Sequence, residues 1–457
     1  MAYISFDPWR QREVASYQNT SDKDLALIVS QSWDAFLDWR TVMPEARCRP
    51  TLLLMADILR RRSEELAVIM ATEMGKPVSQ GVAEAEKCAL LCRWYAEHAP
   101  RLLVPEKRAS SAHTSLVSYE PQGIILGIMP WNFPLWQVFR FIVPALAGGN
   151  GALLKHASCV PRSALAIEQI VAESGIPEGL FRTIFPSYIQ VNSIITDRRI
   201  RGVSLTGSTA AGRQIASVAG ANLKKMVIEL GGSDPFIVFA DAQIERAVEA
   251  AVISRFLNGG QSCIAAKRII VHEDIYVKFR DRFVEAVSAL RTGDPLDHQT
   301  YVGPMVNIEA ADELERQLIE SLKVGATLLC GGRARNIHPA LFIPAVVENV
   351  PPDSPLADEE TFGPVAPLFC FSTREEALKM ANETPFGLGA TVWTDDEMLA
   401  LEMARDIDTG TVAINGFVKS DPALPFGGVK ESGYGRELSS EGLHEFLNIK
   451  TINIFGQ

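Results

Sequence analysis

The sequence predicts an α/β protein with two large domains, each built on a mostly parallel sheet. Three observations carry that expectation. The chain has 457 residues, more than one core can serve, because single hydrophobic cores stop growing near roughly 250 to 300 residues. Between Pro121 and Gly232, short apolar runs alternate with amphipathic stretches, as in βα units. A second series of the same kind starts at Asp234, after Leu230-Gly231-Gly232-Ser233-Asp234-Pro235, and sets the border near residues 230–234.

The elements follow in order. Asp24 to Trp39, Pro50 to Met70 and Val82 to Tyr95 place apolar residues three and four apart among charges, so the first segment reads as helical packing layers. Strands are expected at Gly123 to Met129, Ala152 to Lys155, Arg182 to Phe185, Gly202 to Leu205 and Lys225 to Leu230. The second series offers strands at Phe236 to Phe239 and Arg268 to Val271, with helices at Gln243 to Phe256 and Asp274 to Leu290. Further strands are expected at Thr327 to Cys330, Val365 to Phe371, Ala390 to Trp393 and Val412 to Asn415.

Composition narrows the function classes. Apolar residues make up 47% and charged residues 22%, enough to bury a core. The net charge of −11 is scattered along the chain and argues against nucleic-acid binding. Seven cysteines are an odd number and too few to staple a chain of this length, which fits a reducing compartment. The N-terminus shows no basic stretch followed by an apolar one. The least polar stretch, Phe141 to Leu154, is broken by Gly148-Gly149-Asn150-Gly151, so no membrane segment is expected and the cytoplasm is the expected location.

Chemistry concentrates at Asn258-Gly259-Gly260-Gln261-Ser262-Cys263, where two glycines let the backbone turn sharply and are expected to leave the thiol on an exposed loop. Alone, such a cysteine reads more readily as a small buried hydrophobe. Cys88 and Cys92, with His98 beyond, lack the second ligand pair of a metal site and read as core thiols, so no metal is expected.

Three segments taken together, Pro130-Trp131-Asn132-Phe133-Pro134, Glu229-Leu230-Gly231-Gly232 and Gly260-Gln261-Ser262-Cys263, resemble the aldehyde dehydrogenase family. The resemblance continues through Leu205-Thr206-Gly207-Ser208, Glu360-Thr361-Phe362-Gly363-Pro364 and Pro425-Phe426-Gly427-Gly428, and leaves only the first ~15 residues without a clear counterpart. It implies two Rossmann-like α/β domains plus a small β extension for oligomerisation. Residues 1–100 and 122–231, with a return segment at 432–446, would bind cofactor; residues 232–431 would form the catalytic domain; 101–121 and 447–457 would be the strands of a homodimer or homotetramer.

The resemblance also assigns roles that the reaction's chemistry explains. Cys263 is the nucleophile, because a thiolate attacks an aldehyde carbon strongly. The oxyanion so formed needs fixed donors, each worth about 2.7 to 4 kcal/mol at comparable sites; Asn132 and the N–H of Cys263 take that part. Loss of hydride to a nicotinamide leaves a thioester, and Glu229 is the base for its hydrolysis. By itself Glu229 would read as a carboxylate closing a strand.

For the cofactor, Gly207-Ser208-Thr209-Ala210-Ala211-Gly212 offers a helix N-terminus to a pyrophosphate, in a variant of the usual glycine fingerprint. Ser208 lies near phosphate, and Met129, Pro130, Trp131 and Leu230 are further cofactor positions. Lys155 is the ribose ligand. Family members strict for NAD often carry glutamate three residues after this lysine; here Ser158 stands there, which favours NADP over NAD, unless Ser158 simply caps the helix before Pro161. Glu360 and Phe362 match the residues beside the nicotinamide ribose and ring.

For the substrate, Arg140 stands eight residues after Asn132, as in succinate-semialdehyde dehydrogenases, and two helical turns on it could clamp a distant carboxylate. The competing reading is an arginine snorkelling from an apolar helix or pairing with an internal acid. Trp136, Ser262 and Ser420 are further substrate positions by resemblance. Leu257 departs from members that carry a second arginine there. The expected reaction is NAD(P)-dependent oxidation of succinate semialdehyde. Its rivals are another short aldehyde, an acylating relative that Glu229 speaks against, and a silent binding protein on the same fold.

Overall fold

A computed structural model of the chain describes residues 3–456. Met1, Ala2 and Gln457, the outer ends of the first and last expected segments, lie outside the described residues.

One sheet has six strands in the order Gly433–Tyr434, Lys225–Glu229, Ile200–Thr206, Ile124–Met129, Gly151–His156 and Phe181–Thr183. All neighbours run parallel except Gly433–Tyr434, which opposes Lys225–Glu229. Strand Ile124–Met129 is buried almost throughout, which is why it reads as an apolar run rather than as an alternation. Its successors in the chain lie to one side of it, and Ile200–Thr206 then returns to the other side. Sheets of this kind open a crevice beyond the carboxyl ends of the strands at such a switch point. The turns after Met129 and Thr206 flank it.

The second sheet has seven strands in the order Thr327–Arg333, Phe342–Glu348, Val365–Phe371, Ala266–His272, Asp234–Val238, Gly389–Trp393 and Thr411–Ile414. Only the Thr327–Arg333 pairing is antiparallel. A third, three-stranded sheet joins Leu447–Ile454, Thr114–Pro121 and Glu106–Arg108. After the second sheet the chain crosses back, and Ser432 joins the two borders: its carbonyl accepts from Leu230 N at 2.9 Å, and its hydroxyl donates to Gly231 O at 2.6 Å.

Several elements differ from the sequence reading, among them the short strand Gly433–Tyr434. Tyr3–Asp7 and Arg12–Tyr17 form an antiparallel hairpin ahead of the first helix, its turn held by Asp7 Oδ1, which accepts from Trp9 N and Arg10 N at 3.0 and 2.9 Å. The single helix expected over Pro50 to Met70 is two, Pro44–Arg61 and Ser63–Met74, parted at Arg62. Strand Phe342–Glu348 was not anticipated. Cys88 and Cys92 lie in the core of helix Val78–Leu102. No helix among the described residues is long and apolar enough to cross a membrane.

Candidate active site

Pro130-Trp131-Asn132 forms the turn after strand Ile124–Met129, and helix Trp136–Ala147 starts just beyond it. The helix start is fixed by Glu84, whose Oε1 accepts from Leu135 N and Trp136 N at 2.8 and 2.9 Å, a carboxylate on the positive end of a helix. Glu84 is itself held by Lys76 in a buried ion pair.

Helix Ile244–Phe256 leads into the loop that carries Cys263, where Asn258, Gly259 and Gly260 take φ values of 56°, 63° and 69°. At Gly260 a Cβ would stand 2.5 Å from Gly363 O, so the loop closes against the protein. Cys263 is therefore half-buried, and the exposed loop expected from the glycines is not found. Arg255, fully buried, locks this arrangement by donating to Val365 O, Thr361 O and Gly260 O at 2.7, 3.0 and 3.4 Å, and to Gly363 O.

Cys263 lies at the junction of two cavities. The first, about 310 Å³, has Phe133, Trp136, Ile264, Phe417, Val418 and Phe426 among its apolar wall, and its polar lining includes Lys87, Gln137, Arg140, Ser262 and Ser420, with the Lys76–Glu84 pair and Lys419 also on its border. The second, about 230 Å³, opens at the switch point and is walled by Pro130, Trp131, Asn132, Thr206, Gly207, Ser208, Leu230, Gly231, Glu360 and Phe362. Gln137 borders both. Of the residues singled out in the sequence, Met129, Lys155, Ser158, Gly212 and Glu229 stand outside these two walls.

Several side chains are held in place. Asn132 Nδ2 donates to Gln261 O at 3.1 Å, which orients the amide and leaves its second N–H free. The N–H of Cys263 makes no hydrogen bond among the described residues. Lys267 Nζ donates to Cys263 O at 2.7 Å and pairs with Glu360 Oε1 at 3.0 Å, tying the Cys263 loop to the second cavity. Glu360 Oε1 also accepts from Gly232 N at 3.0 Å. Gly232 admits no side chain, since a Cβ would stand 2.6 Å from Cys263 O.

Ser208 caps helix Thr209–Ala221, its hydroxyl accepting from Ala211 N at 3.3 Å. Gly212 sits under Leu230, where a Cβ would come within 2.6 Å of Leu230 Cδ2. Lys155 is largely buried at the end of its strand, with Nζ 6.0 Å from the ring centres of Tyr3 and Tyr188 and no carboxylate paired to it among the described residues. Helix Pro161–Glu173 is capped by Val160 without a side-chain bond, so Ser158 is not its cap.

The electrostatics centre on two carboxylates. Glu229 ends strand Lys225–Glu229 fully buried, and neither oxygen has a hydrogen-bond partner among the described residues. Burial first, then the charge of Glu437, hold its pKa well above the usual carboxylate range, against the pull of Arg140 and Arg436. Glu437 is raised too, again by burial, and pairs with Arg140 Nη2 at 2.8 Å. Arg140 also donates to Gln137 and lies 4.8 Å over the Phe426 ring. It lines the first cavity, then, with an internal acid as its partner. Burial pushes the Cys263 thiol up to about 11, partly offset by Lys267 and Arg140.

Lys87, Gln137, Arg255, Lys267 and Glu437 were not found from sequence. A signal existed for Lys87: it follows Glu84 by three residues, at the margin of the buried stripe of helix Val78–Leu102 on which Glu84 lies.

Comparison with known proteins agrees with this geometry. The model of the aldehyde dehydrogenase family matches residues 2–452. A succinate-semialdehyde dehydrogenase [NADP(+)] from Mycobacterium avium is 42% identical over 455 residues, covering 99% of this chain and 96% of its own. A protein of that name, numbered 1, from Mycobacterium tuberculosis is 43% identical, covering 99% of both chains. The crystal structure of succinic semialdehyde dehydrogenase from Streptococcus pyogenes, in complex with NADP+, superposes with a TM-score of 0.96 at 36% identity and covers 100% of both chains. A family model spanning nearly every residue, and relatives matched end to end, place this chain in the aldehyde dehydrogenase family.

Proposed function

We propose that this protein oxidises succinate semialdehyde to succinate with NADP. The observation that carries the reading is the position of the Cys263 sulfur between a crevice at a sheet switch point and an apolar chamber with a polar far end. The names of its relatives point to the same substrate and cofactor.

The residues fit a dinucleotide. Ser208 and the helix it caps offer N–H groups to a pyrophosphate, with Gly207, Leu230, Pro130 and Trp131 around the crevice and Gly212 and Met129 behind it. Lys155 is a largely buried cation with no carboxylate partner among the described residues, and with Ser158 three residues on it suits an additional phosphate. Glu360 and Phe362 hold the nicotinamide end. When bound, the dinucleotide supplies the hydride acceptor.

The chain's own groups do the rest. Because burial keeps Cys263 as a thiol at neutral pH, its proton must leave as the carbon–sulfur bond forms. The second N–H of Asn132 and the N–H of Cys263 hold the resulting oxyanion. Glu229, with its basicity raised, is the acceptor for protons from the thiol and from the water that cleaves the thioester. Trp136, Ser262, Ser420 and Arg140 line the substrate chamber, the charge of Arg140 being shared with Glu437.

In this reading the six-stranded unit, residues 1–100 and 122–231 with 432–446, binds cofactor, and residues 232–431 carry the nucleophile. Strand Leu447–Ile454 is an edge that exposes Ile449, Ile452 and Ile454, which supports assembly into a homodimer or homotetramer through residues 101–121 and 447–457; light scattering measures the mass. All seven cysteines are free, as suits the cytoplasm. The deciding assay compares succinic semialdehyde with butanal, each with NADP and with NAD. Equal efficiencies for the two aldehydes rule out the assigned substrate, and no reduced cofactor with any aldehyde rules out the activity.

A further inference from the structure

Helix Val78–Leu102 sets Lys87 in the wall of the cavity that runs from Cys263 to Ser420. Its ammonium is largely buried, yet no carboxylate is paired with it among the described residues. Of the other charges around it, Glu84 belongs to Lys76, Arg140 to Glu437, Asp421 acts only through space, and Lys419, which also borders the cavity, is exposed to solvent. Burial, and then Arg140, push Lys87 down to about 8, so it still carries its charge at neutral pH.

The hydrogen bonds show where that charge is aimed. Lys87 Nζ donates to Ser420 Oγ at 2.8 Å, and Trp136 Nε1 donates to the same oxygen at 3.0 Å. Both groups can only donate, so they take both lone pairs of the hydroxyl. The Ser420 proton must then point elsewhere, and no described acceptor receives it. Lys87 keeps two further N–H groups. Its Nζ is also held 4.2 Å over the Trp136 ring, which fixes the long side chain before any ligand arrives. A buried cation and a hydroxyl forced to donate, converging at one end of an apolar chamber, are a built receptor for an anion.

We propose that Lys87, together with the Ser420 hydroxyl, binds the terminal carboxylate of the aldehyde substrate and is the main determinant of specificity for a semialdehyde. Arg140, neutralised by Glu437, is secondary. The assignment rests on the reading that the substrate is a short semialdehyde.

The test uses the full-length enzyme with NADP and the variants Lys87→Met, Lys87→Gln and Lys87→Arg. Glutamine removes the charge but keeps a donor for Ser420, and the KM for NADP checks that each variant is folded. Succinic semialdehyde is compared with butanal, which has the same carbon chain without the carboxylate. A charge-assisted hydrogen bond lost from a buried site predicts that the ratio of the two kcat/KM values falls roughly 10- to 150-fold in Lys87→Met and Lys87→Gln, mainly through KM for the semialdehyde. Lys87→Arg restores most of the ratio. A wild-type preference that survives intact in the neutral variants overturns the role of Lys87 and leaves the substrate reading standing. Wild-type enzyme without a preference for the semialdehyde overturns the substrate reading, and the role of Lys87 with it.

Discussion

The Arg140–Glu437 ion pair is the most informative place to perturb this molecule. Both side chains are almost wholly buried, at 2% and 4% exposure. Glu437→Gln keeps the shape and removes the charge, leaving Arg140 as a buried cation without its acid. Breaking such a pair from one side costs about 3–5 kcal/mol. Unfolding entropy scales with chain length, so for 457 residues about 1 kcal/mol shifts the midpoint by about 1 °C, and the variant should melt roughly 3–5 °C lower. The same change acts on Glu229. Its pKa is held up by burial and then by Glu437, while Arg140 and Arg436 draw it down; without the Glu437 charge it falls. A base with a lower pKa stays deprotonated further into acid, so the acid limb of kcat moves to lower pH. Scanning calorimetry and a kcat–pH profile read the two effects. The double variant Arg140→Met with Glu437→Met should recover most of the lost stability, because no uncompensated charge remains. A Glu437→Gln midpoint within about 1 °C of wild type, or an acid limb moving to higher pH, would refute the reasoning.

Three further outcomes follow from the same geometry. Glu229→Gln should slow both the first release of reduced cofactor in stopped flow and the steady state, by roughly 100- to 10,000-fold, because one carboxylate takes the proton in both halves; an unchanged steady state would exclude it as the base. Alkylation of Cys263 by iodoacetamide, followed by mass spectrometry of its peptide, should keep accelerating as pH rises towards about 11, because burial favours the neutral thiol; a plateau near the free-thiol value of about 8.5 would contradict the buried setting. In Gly232→Ala the new methyl would stand 2.6 Å from Cys263 O. The displaced loop should cost about 100-fold in kcat, and near-normal turnover would show that the loop yields freely.

Parallel strands were the most legible part of the fold. Ile124–Met129 is buried on both faces and writes its burial directly into an apolar run, while Ile200–Thr206 and Ala266–His272, nearly as buried, keep shorter runs interrupted by polar residues such as Arg201 and Arg268. The hairpin Tyr3–Asp7 with Arg12–Tyr17 escaped because its second strand is mostly exposed and charged, and its turn depends on Asp7 rather than on glycine. Phe342–Glu348 escaped because Pro344 interrupts its pattern. Motifs singled out Cys263, Asn132 and Glu229, of which Cys263 and Asn132 line the cavities and Glu229 lies buried outside their walls, a depth no motif records. The glycine pair before Cys263 was legible as a sharp turn, while its inward sense depends on Gly363, far along the chain. Glu437 and Lys267 draw their importance from neighbours remote in sequence, Arg140 and Glu360, and no local pattern records such pairings.

A sulfur atom with a chamber on either flank gives its two guests separate doorways. A small molecule that plugs the apolar chamber leaves the crevice clear, and a dinucleotide analogue in the crevice leaves the chamber clear. Inhibitors of the two kinds can therefore occupy one molecule together, and a compound that bridges both while touching Cys263 gains the grip of two binders joined at their common wall.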